Sequence, residues 1–252
     1  MSLFNDQLKN IYLKDVLILI IVLFLIQTIF NTLNFTFLDV SWFYILIVLF
    51  FMFRLRNSLK HAKSDIIEIF KFDNLKTILI VVILNIFLSY GFLYLADYIL
   101  NLFPNIACLL EFNLSNSIAI SSLVLTVVLS PLCEELICRG VFLNRLNLVV
   151  PLKFAVLISS LLFASLHSFG SITSAFIFAV SMALLYLKSD NIFIPIFAHF
   201  LNNLISELIV IIDNNNVIFN NSIIFNAMSV LSVISFILII VWIVKQLNII
   251  ND

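Results

Sequence analysis

The chain has 252 residues, of which 63% are hydrophobic and only 11% are charged, and its mean hydropathy is +1.20. A folded soluble domain is about 45–50% apolar and about 25% charged, so this composition excludes a soluble globular protein. The net charge of -1 gives no basis for binding nucleic acid. We therefore expect membrane lipid as a partner of the chain, and no nucleic acid.

Apolar runs recur along the whole chain, and a membrane span needs roughly 20 apolar residues. The runs predict an all-α, polytopic integral membrane protein with about eight transmembrane helices, which form a single membrane domain over residues 1–252. The predicted spans, in chain order, are Val16–Leu38, Val40–Phe53, Thr77–Leu100, one that begins with Ile118–Cys133, Leu152–Leu166, Ile172–Leu187, Ile192–Ile212 and Ile223–Val244.

The basic residues predict the orientation, because cytoplasmic loops carry the excess of Lys and Arg. With the N-terminus inside, eight spans place all of the 13 basic residues except Arg139 at the cytoplasmic face. The opposite loops contain Asp39, Glu111 and Asp213 but no Lys or Arg. We therefore expect an integral membrane protein, in the cell membrane if the source is prokaryotic, with cytoplasmic N- and C-termini.

Ionisable residues inside the apolar runs are the functional candidates, since each costs about 2.5–3.5 kcal/mol on insertion scales. Residues four apart share a face of a helix, so Glu135 is expected to pair with Arg139 in a structural, orienting role. Glu134 is rotated by about 100° from Glu135 and is free to react. Phe163 shares a face with His167 in the same way and can form a wall of the pocket.

The predicted catalytic residues lie at comparable depth, roughly 12–24 Å from the cytoplasmic ends of their helices. A carboxylate, two imidazoles and an amide in one membrane cavity suit hydrolysis. Glu134 can act as the general base toward water, and His199 and Asn203 can donate hydrogen bonds to the oxyanion. His167 can hold the water or protonate the leaving group.

We predict no cofactor and no tightly bound metal. Each of the two histidines stands alone on its own span, whereas zinc enzymes commonly place two histidines four apart on one helix. The alternative is a zinc site with an open water position, whose ligands would be Glu134, His167 and His199.

Three motifs carry a family resemblance: Glu134-Glu135-x-x-x-Arg139, Phe163-x-x-x-His167 and His199-x-x-x-Asn203. Their order, on separate spans, resembles the CAAX-protease and bacteriocin-processing family, also called the Abi or type II CAAX endopeptidase family. The resemblance covers about residues 118–212, the predicted catalytic core of spans 4–7. Members of this family are implicated in trimming prenylated C-terminal tails, in peptide maturation or in bacteriocin immunity.

The resemblance implies an intramembrane glutamic endopeptidase that acts on a hydrophobic peptide or lipidated protein substrate. It implies that Glu134 activates water with His167, and that His199 and Asn203 form the oxyanion site. Two other functions remain open. A proton-coupled transporter would also use intramembrane ionisable residues, although no internal repeat accompanies them here. A non-catalytic immunity or scaffold protein would tolerate the loss of Glu134.

Overall fold

The computed structural model describes residues 3–33, 41–103, 123–168, 170–213 and 216–251. Throughout these residues the regular elements are helices, as the predicted all-α class requires. In chain order they are α1 (Leu3–Lys9), α2 (Leu13–Thr32), α3 (Ser41–Arg54), α4 (Leu59–Ile69), α5 (Phe72–Leu102), α6 (residues 123–146), α7 (Leu152–Ser165), α8 (Ile172–Ser189), α9 (Phe193–Ile212), α10 (Val217–Asn220) and α11 (Ser222–Asn251).

Five of these helices are long and apolar enough to cross a membrane, namely α2, α5, α8, α9 and α11. Helices α3 and α4 together form one further candidate, bent by 112° at the break between them. The chain is therefore a polytopic integral membrane protein, with about six candidate spans among the described residues. The prediction of eight spans is wrong.

Two helices explain the difference, since α3 is counted in the bent pair. Helix α7 has 14 residues, or roughly 21 Å at 1.5 Å per residue, whereas the apolar core of a bilayer is about 30 Å thick. Helix α6 carries Glu134, Glu135 and Arg139 within its apolar sequence. The predicted start of its span at Ile118 and the predicted end of the first span at Leu38 lie outside the described residues.

Helix α6 changes its helical type along its length. Two π-helical segments, Leu125–Leu129 and Leu136–Leu143, flank the α-helical stretch Ser130–Glu135. A last α-helical turn, Asn144–Leu146, completes the run. Because π-helical segments are rare and frequently lie at functional sites, the helix that carries the acidic pair is marked by its backbone as well as by its charges.

Helix α8 is the most buried of the candidate spans. In its most apolar 18-residue stretch 67% of the residues are buried inside the protein, whereas in that of α2 only 11% are. It packs against α5, α6, α7, α9 and α11. Alanine and serine side chains on α8, among them Ala179, Ser181 and Ala183, are fully buried. Small residues let helix backbones approach closely in a membrane, where there is no hydrophobic driving force between helices. α8 is therefore the central helix of the bundle, and α6, α7 and α9, which carry the polar residues, pack against it.

One end of the bundle gathers residues that the sequence assigns to the cytoplasmic face. Lys9 forms an ion pair with Asp190, in the turn between α8 and α9. Arg54 Nη2 lies 2.7 Å from Asp15 Oδ2. Arg145 Nε donates a 2.8 Å hydrogen bond to the main chain just before α2. Basic residues from the N-terminus, from the end of α3 and from the end of α6 thus lie at the same end of the molecule.

Candidate active site

The two adjacent glutamates of α6 occupy different environments. Glu135 is fully buried, whereas the side chain of Glu134 is 26% exposed. Ser130 lies one α-helical turn before Glu134, and its hydroxyl donates a short hydrogen bond to Glu134 Oε1. Glu134 is thus the carboxylate that water can reach, and Ser130 fixes one of its two oxygens.

The neighbouring carboxylate belongs to a buried ion pair. Arg139 Nη1 lies 3.0 Å from Glu135 Oε1, and both side chains are at most 1% exposed. Arg139 also donates from Nη2 to the carbonyl oxygen of Ala179 at 3.0 Å, and its guanidinium lies 4.7 Å from the centre of the Phe163 ring. The expected pair is therefore present, and it ties α6 to α8 and α7.

His199 lies between the two glutamates. Its Nδ1 donates a 2.9 Å hydrogen bond to Glu135 Oε1, and its Nε2 lies 3.9 Å from Glu134 Oε2. Because an ionised carboxylate only accepts hydrogen bonds, the proton on Nδ1 is fixed by Glu135. Nε2 then accepts a hydrogen bond when the ring is neutral and donates one when the ring is an imidazolium. Phe178 packs edge-on against the ring, with centroids 4.9 Å apart.

His167 follows the end of α7 directly. Its Nδ1 lies 3.0 Å from the carbonyl oxygen of Phe163, and the two rings are 4.8 Å apart between centroids. A carbonyl oxygen can only accept, so Nδ1 carries the proton and Nε2 has a free lone pair in the neutral ring. The expected contact between Phe163 and His167 is present, and the same Phe163 ring also faces His199 at 5.8 Å.

Asn203 lies one helical turn beyond His199 on α9. Its side-chain nitrogen donates to the carbonyl oxygen of Thr126 on α6 at 2.9 Å. Its side-chain oxygen accepts a hydrogen bond from Asn202 Nδ2 at 3.3 Å. An amide nitrogen carries two N–H groups, so one donor of Asn203 is left for a ligand.

A cavity of about 170 Å³ brings three of the four predicted catalytic residues together, namely His167, His199 and Asn203. Asn85 and Ser89 of α5 add polar groups to its lining. Glu134 lies beside this lining and approaches it from the Nε2 side of His199. Two imidazoles and an amide thus line the cavity, and the Glu134 carboxylate lies next to it.

Zinc is the alternative for the set Glu134, His167 and His199. Within the described ranges, no group of three or more His, Cys, Asp or Glu side chains is arranged to hold a metal ion. Glu135 holds Nδ1 of His199 and a carbonyl holds Nδ1 of His167, so Nε2 is the atom through which each ring can bind a water, a substrate or a metal ion. The absence of a tightly bound metal stays a prediction.

Three polar residues at this site escape the sequence analysis. Ser130 precedes Glu134 by four residues, so the i, i+4 rule that pairs Glu135 with Arg139 would also have found it. Asn202 is adjacent to Asn203 in the sequence but was not assigned a role. Asn85 lies on α5, far from every motif, and no spacing rule connects it to α9.

Comparison with known proteins agrees with this region of the chain. The family model described as type II CAAX prenyl endopeptidase Rce1-like matches residues 116–205. That stretch contains the acidic pair, both histidines of the cavity and Asn203. No curated protein and no solved structure matches the chain. Over this stretch the chain is similar to the Rce1-like type II CAAX prenyl endopeptidase family.

Proposed function

We propose that the protein is an intramembrane endopeptidase that hydrolyses a peptide bond of a hydrophobic or lipidated substrate with water activated by Glu134. The observation that carries the proposal is the position of His199 between two unlike carboxylates. One of them, Glu135, is buried and bonded to Nδ1 at 2.9 Å. The other, Glu134, is reachable by water and lies 3.9 Å from Nε2. This is an arrangement in which one carboxylate orients an imidazole while the other reacts.

Glu134 acts first as base and then as acid. Its carboxylate takes a proton from water while the water oxygen forms a bond to the carbonyl carbon of the scissile peptide. The carbonyl π electrons move to oxygen and form the oxyanion. When the C–N bond breaks, the nitrogen keeps the bonding electrons and receives the proton from Glu134. The products are a carboxylic acid and an amine, and no further reactant is consumed.

His199 and Asn203 stabilise the oxyanion. With Nδ1 protonated and held by Glu135, His199 donates to the oxyanion through Nε2 when the ring is an imidazolium. Asn203 has one N–H group beyond the one given to Thr126. Donors placed where charge develops act strongly in a site that excludes bulk water. His167 accepts a hydrogen bond from the attacking water through its unprotonated Nε2.

The substrate class follows from the family description and from the surroundings of the cavity. The matched family acts as a prenyl endopeptidase, so a prenylated C-terminal peptide is the first candidate. A second cavity, of about 250 Å³, lies next to the cavity that His167 and His199 line. The two are adjacent because Ser171 lines the first and the next residue, Ile172, lines the second. Phe92, Leu95 and Ile99 of α5 complete much of its apolar wall. An apolar substituent beside the scissile bond fits this arrangement.

The test is a cleavage assay with purified protein in liposomes. We expect release of a C-terminal tripeptide from a farnesylated CAAX peptide, and at least tenfold slower release from the same peptide without the lipid. Each buried methylene contributes about 0.8 kcal/mol to transfer from water, so a prenyl chain has ample binding energy for that difference. Equal rates for both peptides would contradict the lipidated substrate, and no cleavage of either would contradict the endopeptidase.

The same assay includes a metal arm. We expect the rate to survive exhaustive treatment with a membrane-permeant chelator, because Glu134 activates water directly. Loss of activity that returns on adding zinc, together with about one zinc per chain by elemental analysis, would replace this mechanism by zinc-bound water.

We expect both termini in the cytoplasm. The support is the positive-inside rule together with the position of Lys9, Arg54 and Arg145 at one end of the bundle. Reporter fusions after residues 70 and 190 should report the cytoplasm, and a fusion after residue 213, beyond α9, should report the opposite side. An external signal after residue 70 or 190 would contradict this orientation.

A further inference from the structure

A chain of three asparagine side chains connects α5 to the proposed oxyanion site. Asn85 Nδ2 donates to Asn202 Oδ1 at 2.8 Å. Asn202 Nδ2 donates to Asn203 Oδ1 at 3.3 Å, and Asn203 Nδ2 donates to the carbonyl oxygen of Thr126 at 2.9 Å. All three side chains also line the cavity that contains His167 and His199.

The chain of hydrogen bonds has a direction. A side-chain amide has one accepting end and one donating end, and rotating it by 180° exchanges them. Because Asn85 presents its N–H to Asn202, the oxygen of Asn202 faces α5 and its nitrogen faces Asn203. The nitrogen of Asn203 is then turned toward Thr126 and the cavity. Without the first donor, Asn202 could rotate and turn its oxygen toward the oxygen of Asn203, and only the Thr126 carbonyl would then hold the Asn203 amide in its donating orientation.

We infer that Asn85 is a positioning residue of the catalytic site: through Asn202 it fixes the amide of Asn203 in the orientation that donates to the oxyanion. The inference rests on the proposed function. It extends the site beyond residues 116–205, the stretch that the family model matches, to α5, which lies outside it. Hydrogen bonds in series polarise one another, which strengthens the last donor further.

The environment of Asn85 favours this role over simple packing. The residue is 2% exposed, and its Oδ1 has no hydrogen-bond partner among the described residues. A buried polar atom without a partner is unfavourable, and an apolar residue at this place in α5 would avoid that cost. Among the described residues, the side-chain hydrogen bond that an apolar residue at position 85 would lose is the one to Asn202.

The experiment compares Asn85→Leu with Asn203→Ala and with the double variant in the liposome assay. We expect Asn85→Leu to lower kcat by about tenfold to a hundredfold, as misplaced catalytic groups do, with KM changed by less than about twofold. Asn203→Ala should lower kcat by about 10²–10³-fold, the range for one lost oxyanion donor. The double variant should be no slower than Asn203→Ala alone, because Asn85 acts only through Asn203.

Two controls separate positioning from damage to the fold. Asn101→Leu makes the same replacement on an exposed part of α5, away from the cavity, and should leave kcat unchanged. Asn202→Leu breaks the same chain of hydrogen bonds from a different helix and should reproduce the kcat loss of Asn85→Leu. It also answers the question if Asn85→Leu does not fold.

The outcomes also distinguish this inference from the proposed function. Wild-type kcat for Asn85→Leu and Asn202→Leu, or losses that multiply with that of Asn203→Ala, would overturn the positioning role. If Glu134→Gln abolished cleavage at the same time, the proposed function would stand without it. If Glu134→Gln kept full activity, the proposed function itself would fall.

Discussion

Replacing Glu134 by glutamine should abolish cleavage and leave the protein folded in the membrane. Glutamine keeps the shape of the side chain and can still accept the hydrogen bond from Ser130, but it cannot take a proton from water. A positioned general base contributes about 10²–10⁴-fold to a rate, so the loss should be at least in that range. The measurement is single-turnover cleavage in liposomes, accompanied by thermal melting in detergent.

The matched control for this variant is Glu207→Gln, the same chemical change on α9 at a residue outside the cavity. We expect its cleavage rate and melting temperature to stay close to those of the wild type. Full activity of Glu134→Gln would contradict the general-base role and would favour a transporter or scaffold function. A large drop in the melting temperature of Glu134→Gln would instead show that Glu134 supports the fold.

Replacing Glu135 by glutamine should have the largest effect on stability. Arg139 would lose its buried counter-charge, and removing one partner of such a pair costs about 3–5 kcal/mol. Activity should fall as well, because His199 Nδ1 would lose the carboxylate that accepts its hydrogen bond and orients the ring. Denaturant or thermal unfolding in detergent measures the first effect, and the liposome assay on the folded fraction measures the second.

A surface ion pair provides the control. Glu68 lies 2.6 Å from Lys71, and both side chains are exposed, so Glu68→Gln should cost less than about 1 kcal/mol. Unchanged melting of Glu135→Gln, with an activity loss equal to that of Glu134→Gln, would refute the division between an orienting and a reacting carboxylate. Recovery of activity when Arg139→Gln is added to Glu135→Gln would also contradict this division, because His199 would still lack the Glu135 carboxylate.

The apolar runs predict the long helices well. They predict spans wrongly where the helix that forms is shorter than a membrane span or is bent. α5, α8, α9 and α11 fall within or around predicted spans, because an uninterrupted apolar run in a membrane must satisfy its backbone as a helix. The apolar run of the second predicted span forms α3, which ends at Arg54. The chain then bends by 112° into α4. Hydropathy records the apolar side chains but contains no signal for that bend, nor for the π-helical segments of α6.

The site shows the same division between local and long-range information. The contact between Glu135 and Arg139 follows from their spacing, and so does the contact between Phe163 and His167. The hydrogen bond from His199 to Glu135 joins residues 64 apart in the sequence, and spacing on one helix contains no information about it. The bond from Asn85 is longer in range still, at 117 residues. Both depend on how α5, α6 and α9 pack, which one sequence does not specify.

The buried guanidinium also constrains how the protein is made. Glu135 and Arg139 lie on the same helix, so the two charges can neutralise each other while α6 is still alone in the lipid. The carbonyl of Ala179 and the ring of His199 can join the pair only after α8 and α9 have packed against α6. Biogenesis can therefore insert α6 with this pair already neutralised and complete the network afterwards. Glu135 can orient the His199 ring only at that last step, so the proposed site exists only in the assembled chain.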